Sequence, residues 1–486
     1  MNLKIVKYSL GKLLIVLAGL LILPLIVAFI YGESFADKIN FVIPIIVSLI
    51  FGIILSKRGD NKSHLYTKEA MFITASTWVL FSLIGAIPLF LTKSNYNGYI
   101  DAFFEMVSGF TTSGASVAIN VELLPHSIIF WRSLSHFVGG MGILVFTLAI
   151  LPNSNKESSL LMQSEVPGPT FGKITPKLSD TARNLYGMYI VLTIITVILL
   201  LFGGMNLFES IIHAFGAAGT GGFSNKGISI GAYNSRYIEI VLAIMMAVFG
   251  VNFNIYFYAV TKNVREAVKS EELKWYIAII LIASGLIFAN IVTIYKEVFY
   301  SFVNSIFTVS SIITTTGYVS ADFGTWPLFS KSVIIMLMFI GGCAGSTAGG
   351  LKVSRFVILV KGGINQIKES MNPKKITINR MDRKKVDSET ERSVLKYLVI
   401  YIMIFIVLFM IVSLDMDDFE TAFAAVSTTF NNVGPGLGAF GPITTFAEMT
   451  NLSKFVLTIA MLLGRLEIFP MLLLLYPSTY RKLRNK

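Results

Sequence analysis

Ten apolar stretches in this chain are each long enough to cross a membrane. A helix of about 20 residues crosses the roughly 30 Å of hydrocarbon, and backbone exposed to lipid must satisfy its own hydrogen bonds, as a helix does. The 486 residues are 54% hydrophobic with a mean hydropathy of +0.71, far more apolar than one soluble core requires. We therefore predict an all-α membrane protein with spans at 13–31, 39–55, 70–91, 127–151, 188–202, 238–260, 275–294, 332–360, 395–414 and 455–476.

The cysteine and histidine content excludes several kinds of site. Cys343 is the only cysteine, so neither a disulfide within the chain nor a multi-cysteine zinc site is possible. The four histidines show no metal-ligand spacing, and no H-E-x-x-H metalloprotease motif occurs. We predict that the chain is not an enzyme.

Positive charge is concentrated on one side of the predicted spans. Most of the 40 lysines and arginines lie in segments that would share the side of the N-terminus. Because basic loops stay cytoplasmic, we predict that the N- and C-termini are both cytoplasmic. The same pattern explains the net charge of +12 through contacts with anionic lipid head groups, without nucleic acid.

Four shorter, semi-polar stretches lie between paired spans and resemble one another. They read DAFFEMVSGFTTSGAS from residue 101, ESIIHAFGAAGTGGFS from 209, NSIFTVSSIITTTGYV from 304 and ETAFAAVSTTFNNVGPG from 420. Each begins with a carboxylate or amide side chain, namely Asp101, Glu209, Asn304 and Glu420. A glycine follows 13 residues later in the first three and 14 later in the fourth, at Gly114, Gly222, Gly317 and Gly434. The chain is thus predicted to contain four internal repeats.

The repeated stretch predicts a half-helix followed by non-helical backbone at membrane depth. The polar first residue caps or complements the helix N-terminus, and the C-terminal end carries partial negative charge. Non-helical backbone at that depth must be buried in protein or line a water-filled cavity. Since glycine adopts backbone conformations closed to other residues, carbonyl oxygens from four copies can face one axis and replace the hydration shell of a cation. The repeats therefore predict a cation filter.

Longer motifs carry a family resemblance. TTSGAS, GTGGFS, TTTGY and NNVGPGLG, with WRSLSHFVGGMGI from residue 131, FIGGCAGSTAGGLK from 339 and LLGRLEIF from 462, resemble the Trk/Ktr/HKT superfamily of potassium transporters. The resemblance covers nearly the whole chain, and the two spans before the first repeat are similar to the Trk branch. It implies four pseudo-repeated helix–pore-helix–helix units around a central pore, plus two extra N-terminal transmembrane helices.

The resemblance also implies a function and partners. It implies potassium uptake across the bacterial inner (plasma) membrane through a gated, channel-like filter, with K+ as the transported ion and no organic cofactor. The implied assembly is a homodimer that works with a TrkA-like ring of cytoplasmic nucleotide-binding regulatory subunits. An alternative is a sodium- or proton-coupled carrier of the alternating-access type, which predicts inverted repeats in two halves rather than four parallel ones.

The predicted organisation follows from the repeats and the resemblance. A basic cytoplasmic loop separates the third repeat from the fourth. The segments are an N-terminal two-helix domain at 1–62, pore repeats at 63–157, 180–270, 271–363 and 394–486, and the basic loop at 364–393.

The resemblance assigns three ion-binding residues to each repeat. These are Thr112, Ser113 and Gly114, then Thr220, Gly221 and Gly222, then Thr315, Thr316 and Gly317, and finally Asn432, Val433 and Gly434. In related proteins a serine at the first glycine position accompanies sodium transport, so Gly114 favours potassium. Only the third repeat approaches the T-V-G-Y-G of potassium channels, because Ala115 and Pro435 replace the tyrosine in the first and fourth. This predicts weaker discrimination against sodium or rubidium.

The eighth predicted span contains five glycines between residues 341 and 350. Gly341, Gly345 and Gly349 have the small-xxx-small spacing of close helix packing. The other interpretation is a broken helix, since 29 continuous helical residues would reach ~43 Å, well beyond the membrane core. The resemblance implies a flexible gate just inside the filter, formed by Gly341, Gly342, Cys343, Ala344, Gly345, Ser346, Thr347, Ala348, Gly349 and Gly350.

Arg465 lies in the last predicted span, where an arginine costs about 2.5–3.5 kcal/mol on insertion. One interpretation is a buried arginine bonded to backbone carbonyls. In the other, the guanidinium reaches the pore below the filter and forms an electrostatic barrier, which makes Arg465 part of the gate. The sequence leaves both open.

Overall fold

The computed structural model describes the chain apart from residues 61–64, 93–94, 144, 146–177, 261–268, 375–376 and 478–486. The end of the fourth predicted span therefore lies outside the described residues. The described part is nearly all helical, as predicted. Its helices, numbered in chain order, are α1 (Leu3–Ile30), α2 (Phe35–Arg58), α3 (Thr67–Thr92), α4 (Tyr99–Phe110), α5 (His126–Gly140), α6 (Leu178–Phe202), α7 (Leu207–Gly219), α8 (Arg236–Phe249), α9 (Phe253–Val260), α10 (Glu271–Tyr295), α11 (Val298–Ile313), α12 (Leu328–Ile340), α13 (Val353–Met371), α14 (Ser388–Val412), α15 (Phe419–Phe430), α16 (Asn451–Arg465) and α17 (Phe469–Leu475).

One arrangement recurs four times after α1 and α2. A long helix leads into a half-helix of 12 to 16 residues, and an extended segment with a short 3-10 turn leads into a second helix of 13 to 15 residues. The units are α3–α5, α6–α8, α10–α12 and α14–α16. Their 3-10 turns are Val121–Leu123, Ser229–Tyr233, Phe323–Thr325 and Gly438–Phe440. Two short strands, β1 (Arg380–Met381) and β2 (Lys384–Lys385), pair antiparallel between α13 and α14.

Six of the described helices, α1, α2, α3, α6, α10 and α14, are long and apolar enough to span a membrane on their own. The second helix of each unit is shorter. At 1.5 Å per residue, α5, α8, α12 and α16 are each about 20 Å long and do not cross the hydrocarbon core alone. The segments predicted as the spans 127–151, 238–260 and 455–476 are therefore interrupted, because α5, α8 and α16 end within them. In 332–360, where a broken helix was one of the two interpretations, α12 ends at Ile340.

Glycine and positive φ angles accompany these helix ends. α8 is followed by Gly250 and is bent by 91° from α9. α12 ends at Ile340 and is followed by Gly341 with a φ of 73°, and residues shortly after α16, Glu467 and Ile468, have φ values of 55° and 65°. Such conformations do not continue a right-handed helix. The chain therefore turns at comparable positions in these units.

The polar residues at the start of each repeat have different positions in their helices. Asp101, Glu209 and Glu420 lie in the first turns of α4, α7 and α15, where a carboxylate complements the helix dipole. The side chain that caps α7 is Asn206, which accepts the Glu209 N–H. Asn304 lies in the second turn of the longer α11 and does not cap it. The prediction of complementing charges holds for three of the four units.

The two extra helices pack together and attach to the first unit. A methyl group on Gly11 would overlap the backbone of Gly52, so α1 and α2 approach closely at small residues. Glu33, between these helices, accepts hydrogen bonds from the N–H and hydroxyl of Ser127 at 2.9 and 2.5 Å. Glu33 thereby caps the N-terminus of α5, where Pro125 provides no side-chain cap.

Candidate functional site

The four half-helices end in the same backbone turn. Within two residues of the helix end, every unit has a residue with a φ of 55°, and its N–H bonds to the carbonyl three residues back. The next N–H bonds to the carbonyl five residues back, which completes a Schellman motif. Glycine usually occupies the left-handed position, but here the residues are Thr112, Thr220, Thr315 and Asn432. Such strain costs on the order of 1–3 kcal/mol and persists only where surrounding structure imposes it.

A glycine follows two residues after each of these turns. The four φ angles lie between 75° and 98°, a region that favours glycine. These residues are Gly114, Gly222, Gly317 and Gly434. The sequence repeats therefore correspond to four copies of one strained backbone conformation.

The four turns interlock in chain order. A methyl group on Gly114 would overlap the carbonyl oxygen of Gly221 in the second unit. The same relation holds for three further pairs, Gly222 with Thr316, Gly317 with Val433, and Gly434 with Ser113. Because the last pair returns to the first unit, the turns form a closed ring. The structure thus brings together the twelve predicted filter residues from all four units.

A cleft of about 310 Å³, which we call the vestibule, opens on one side of this ring. All four glycines line it, together with residues of the extended segments that follow them. Its lining includes Arg132 and Ser224. The four glycines are therefore the part of the ring that faces the vestibule.

Tyr318, the residue after Gly317, holds the ring in place through hydrogen bonds. Its hydroxyl donates to the carbonyl of His213 in the second unit at 3.0 Å, and its own carbonyl accepts from the Ser311 hydroxyl at 2.7 Å. The side chain is 1% exposed. The tyrosine found only in the third repeat thus links the third unit to the second.

Glu105 and Arg132 form a buried ion pair beside the vestibule. The guanidinium Nε and Nη2 lie 2.8 and 2.7 Å from Glu105 Oε1, and both side chains are at most 2% exposed. Glu105 also accepts from the Ser116 hydroxyl and the Val117 N–H at 2.9 and 2.8 Å. The pair thereby joins α4 and α5 to the segment that leaves the ring. No pattern in the sequence indicates this pair, because its two residues are 27 positions apart on different helices.

Replacing Arg132 by methionine is expected to lower the free energy of unfolding by about 3–5 kcal/mol, because it leaves the Glu105 carboxylate buried without its partner. Thermal unfolding of the purified protein measures this. The double variant Arg132→Met with Glu105→Gln removes both charges and is expected to recover at least half of the loss. A double variant as unstable as Arg132→Met alone would contradict the ion-pair explanation.

A second buried pair joins the first unit to the fourth. Lys454 Nζ lies 2.8 Å from Asp101 Oδ1, with side chains 4% and 3% exposed, and it also donates to the Ala447 carbonyl at 2.8 Å. Asp101 is in the first turn of α4, and Lys454 is in α16. This contact closes the circle of units on the vestibule side.

Residues 341–352, which we call the glycine-rich loop, connect α12 to α13 on the other side of the ring. The Thr220 hydroxyl donates to the Thr347 carbonyl at 2.9 Å. The Gly349 N–H donates to the Thr315 hydroxyl at 2.7 Å, and Gly349 also packs against Asn432. The loop therefore contacts the left-handed residues of three of the four turns.

The glycine-rich loop also fills the break between α8 and α9. The Cys343 N–H donates to the Gly250 carbonyl at 3.0 Å, and the Phe253 N–H donates to the Gly345 carbonyl at 3.2 Å. The Thr347 hydroxyl adds a bond to the last turn of α8. The segment is not helical, so its glycines do not form a packing stripe along a helix. The broken-helix interpretation describes the backbone.

Arg465, the last residue of α16, extends from the fourth unit to the loop and the first unit. One nitrogen donates to the Thr347 carbonyl at 2.6 Å, and another donates to the carbonyls of Gly139 and Gly140 at 2.7 and 2.5 Å. These carbonyls end α5, where the helix dipole favours a cation. These contacts agree with the first interpretation, an arginine bonded to backbone carbonyls. The bond to Thr347 also holds the guanidinium against the glycine-rich loop.

Residues 227–231 read G-x-S-x-G, a pattern that also occurs at hydrolase nucleophiles. The nucleophile needs a turn between a strand and a helix, whereas Ser229 begins a 3-10 turn. Its hydroxyl accepts the Val319 N–H at 3.3 Å, which holds the third unit against the second. The serine therefore has a structural role here.

Comparisons with known proteins agree with this architecture. Residues 37–480 match the TrkH family, described as cation transport proteins. The chain is 33% identical over 491 residues to the Trk system potassium uptake protein TrkH of Salmonella typhimurium, covering 99% of this chain and 100% of that protein. It is 33% identical over 481 residues to the potassium uptake protein TrkG of Escherichia coli, covering 97% and 98%. The crystal structure of the potassium transporter TrkH from Vibrio parahaemolyticus superposes with a TM-score of 0.88 at 29% identity and covers 99% of this chain and 100% of that one.

Proposed function

Because the chain belongs to the TrkH family of cation transport proteins, we propose that it takes up potassium ions across the plasma membrane through the ring at the centre of its four units. The observation that carries this proposal is the closure of the ring by four glycine–carbonyl pairs in chain order. Backbone carbonyls around an axis are the ligands that replace the hydration shell of potassium. No bound cofactor is needed for this chemistry.

The filter is proposed to consist of the left-handed residue, the glycine and the residue between them in every unit. The carbonyls before each glycine belong to Ser113, Gly221, Thr316 and Val433. Their backbone conformations match, but their side chains differ, so the ion meets a ring of unequal walls. Such a ring supports potassium binding with weaker exclusion of rubidium or sodium than a symmetric filter.

The vestibule is proposed to face outward and the glycine-rich loop to face the cytoplasm, with both termini inside. The distribution of basic residues supports this orientation. The spans α2 and α14 have largely exposed apolar faces that suit lipid, since only 28% and 22% of their apolar windows are buried. A potential of 100 mV is worth ~2.3 kcal/mol per charge, enough for about fiftyfold accumulation. A gated pore therefore suffices for uptake.

The glycine-rich loop and Arg465 are proposed to form the gate. The loop contacts three of the four turns, and Arg465 binds the loop through Thr347. A guanidinium at this point opposes the passage of cations until the loop moves. The relatives are named as parts of a Trk system, which supports partner subunits. We propose a homodimer controlled by a cytoplasmic ring of nucleotide-binding subunits.

Expression of the chain in cells that lack their own potassium uptake is expected to restore growth at low potassium. Uptake of rubidium into vesicles, with potassium and sodium as competitors, then measures selectivity, and potassium is expected to compete best. Uptake that requires a sodium or proton gradient would instead indicate a coupled carrier. Failure of the expressed, membrane-inserted chain to restore growth would contradict the proposal.

A further inference from the structure

The carboxylate of Glu272 binds both ends of the glycine-rich loop. Glu272 is in the first turn of α10, and its Oε1 accepts the Ala344 N–H at 2.7 Å and the Ser354 N–H at 3.1 Å. Ala344 is near the start of the loop, and Ser354 is in the first turn of α13, which follows it. Glu272 is 6% exposed. One oxygen atom therefore holds together the two points between which the loop extends toward the ring.

These contacts make the conformation of the loop depend on Glu272. A buried carboxylate is costly unless hydrogen bonds and nearby positive charge compensate it, and bonds to a charged acceptor are stronger than neutral ones. The N-terminus of α13 contributes its dipole at Ser354. Lys352, within the loop, interacts electrostatically with the same carboxylate. Release of the loop would remove several of these partners at once.

The neighbouring residue attaches the same helix turn to the β1–β2 hairpin. The Glu271 N–H donates to Asp382 Oδ1 at 2.6 Å, and the Glu271 carboxylate pairs with Lys361 of α13. Lys361 also donates to the Arg380 carbonyl at 2.8 Å. Asp382 forms the hairpin turn, and Met381 beside it is 4% exposed. The hairpin is thus fixed to α10 and α13 next to Glu272.

We propose that Glu272 is the positioning residue that holds the glycine-rich loop closed beneath the ring, and that Glu271 connects this helix turn to the hairpin. A displacement of the hairpin then weakens the hold of Glu272 and releases the loop. This inference rests on the proposed gating role of the loop. It adds a defined series of contacts through which a displacement of the hairpin opens the ion pathway.

Cys343 provides a direct measurement of loop position, since it is the only cysteine of the chain, adjoins Ala344 and is 0% exposed. In the purified transporter, Glu272→Ala is expected to raise the rate of Cys343 modification by N-ethylmaleimide at least about tenfold, because two charge-assisted bonds are lost. Glu272→Asp, with a carboxylate one methylene shorter, is expected to raise it as well. Glu272→Gln keeps a carbonyl acceptor and is expected to stay closer to the wild type.

Asp382→Ala breaks the bond between the hairpin and Glu271 and is expected to raise the labelling rate by a smaller factor. Glu297→Ala, at an exposed carboxylate, is the matched control and should leave it unchanged. Unchanged labelling in folded Glu272→Ala and Glu272→Asp variants would overturn the positioning role, and unchanged labelling in Asp382→Ala would overturn the link to the hairpin.

Rubidium flux is measured on the same variants. Faster labelling without faster flux would support the role of Glu272 while contradicting the loop as a gate.

Discussion

Gly222→Ala is expected to reduce potassium uptake at least about 100-fold. Gly222 has a φ of 75°, and its added methyl group would overlap the carbonyl oxygen of Thr316 in the neighbouring unit. The oxygen cannot move aside without leaving the ring, because the next pair, Gly317 and Val433, is in equally close contact. A 100-fold reduction corresponds to about 2.7 kcal/mol of lost ion stabilisation. The loss of one ring ligand, together with the backbone strain, is expected to cost more than this. Rubidium uptake into proteoliposomes measures the change.

Gly227→Ala is the matched control for this substitution. Gly227 also lines the vestibule, five residues further along the same segment, but an added methyl group would meet no atom within 4 Å. Its uptake is expected to equal that of the wild type. A folded Gly222→Ala protein with normal uptake would show that ions do not pass through the ring.

The position of the ring could be predicted from the sequence because its backbone conformation favours glycine at one position in every unit. A glycine at a fixed distance from four similar polar starts identifies four places where φ must be positive. The residues with a φ of 55°, two positions earlier, could not be predicted in this way because none of them is glycine. Threonine is unfavourable at a φ of 55°, so its presence at Thr112, Thr220 and Thr315 is explained only by the packing of the assembled units.

The ends of the second helices were not predicted in three of the four units. Hydropathy reports whether side chains suit lipid and carries no information on whether the backbone hydrogen bonds continue. The chain around Gly250 remains apolar although α8 ends there, because the glycine-rich loop supplies the missing partners. Only the glycines of the loop itself were dense enough to indicate a break.

The supporting charges depend on partners that are distant in the chain. Asp101 and Lys454 are 353 positions apart, and Glu272 binds Ala344 72 positions away. Each residue alone looks like an ordinary charged residue near a helix end. Their roles appear only when the folded units bring these distant positions into contact, and no local pattern specifies which residues then meet.

Deletion of residues 345–350 is expected to raise rubidium flux at least about tenfold. The ends of the glycine-rich loop already meet, since Gly341 and Gly350 are in close backbone contact and the Val353 N–H donates to the Gly342 carbonyl at 2.9 Å. The deletion therefore removes the part under the ring and leaves α12 and α13 close enough to be rejoined. The contacts of Thr347 and Gly349 with the filter turns are lost, while the ring itself is not altered.

Arg465→Ala tests the same barrier without shortening the chain. It removes the guanidinium and its bond to the Thr347 carbonyl, so flux is expected to rise in the same direction. A large organic cation that the ring excludes is the control for leakage, and its flux should stay at background in both variants. Unchanged or lower rubidium flux from folded proteins would assign the loop and Arg465 to packing alone. A parallel rise in both variants, with potassium still competing better than sodium, would separate the gate from the filter, because permeation would increase while the residues that select the ion remain in place.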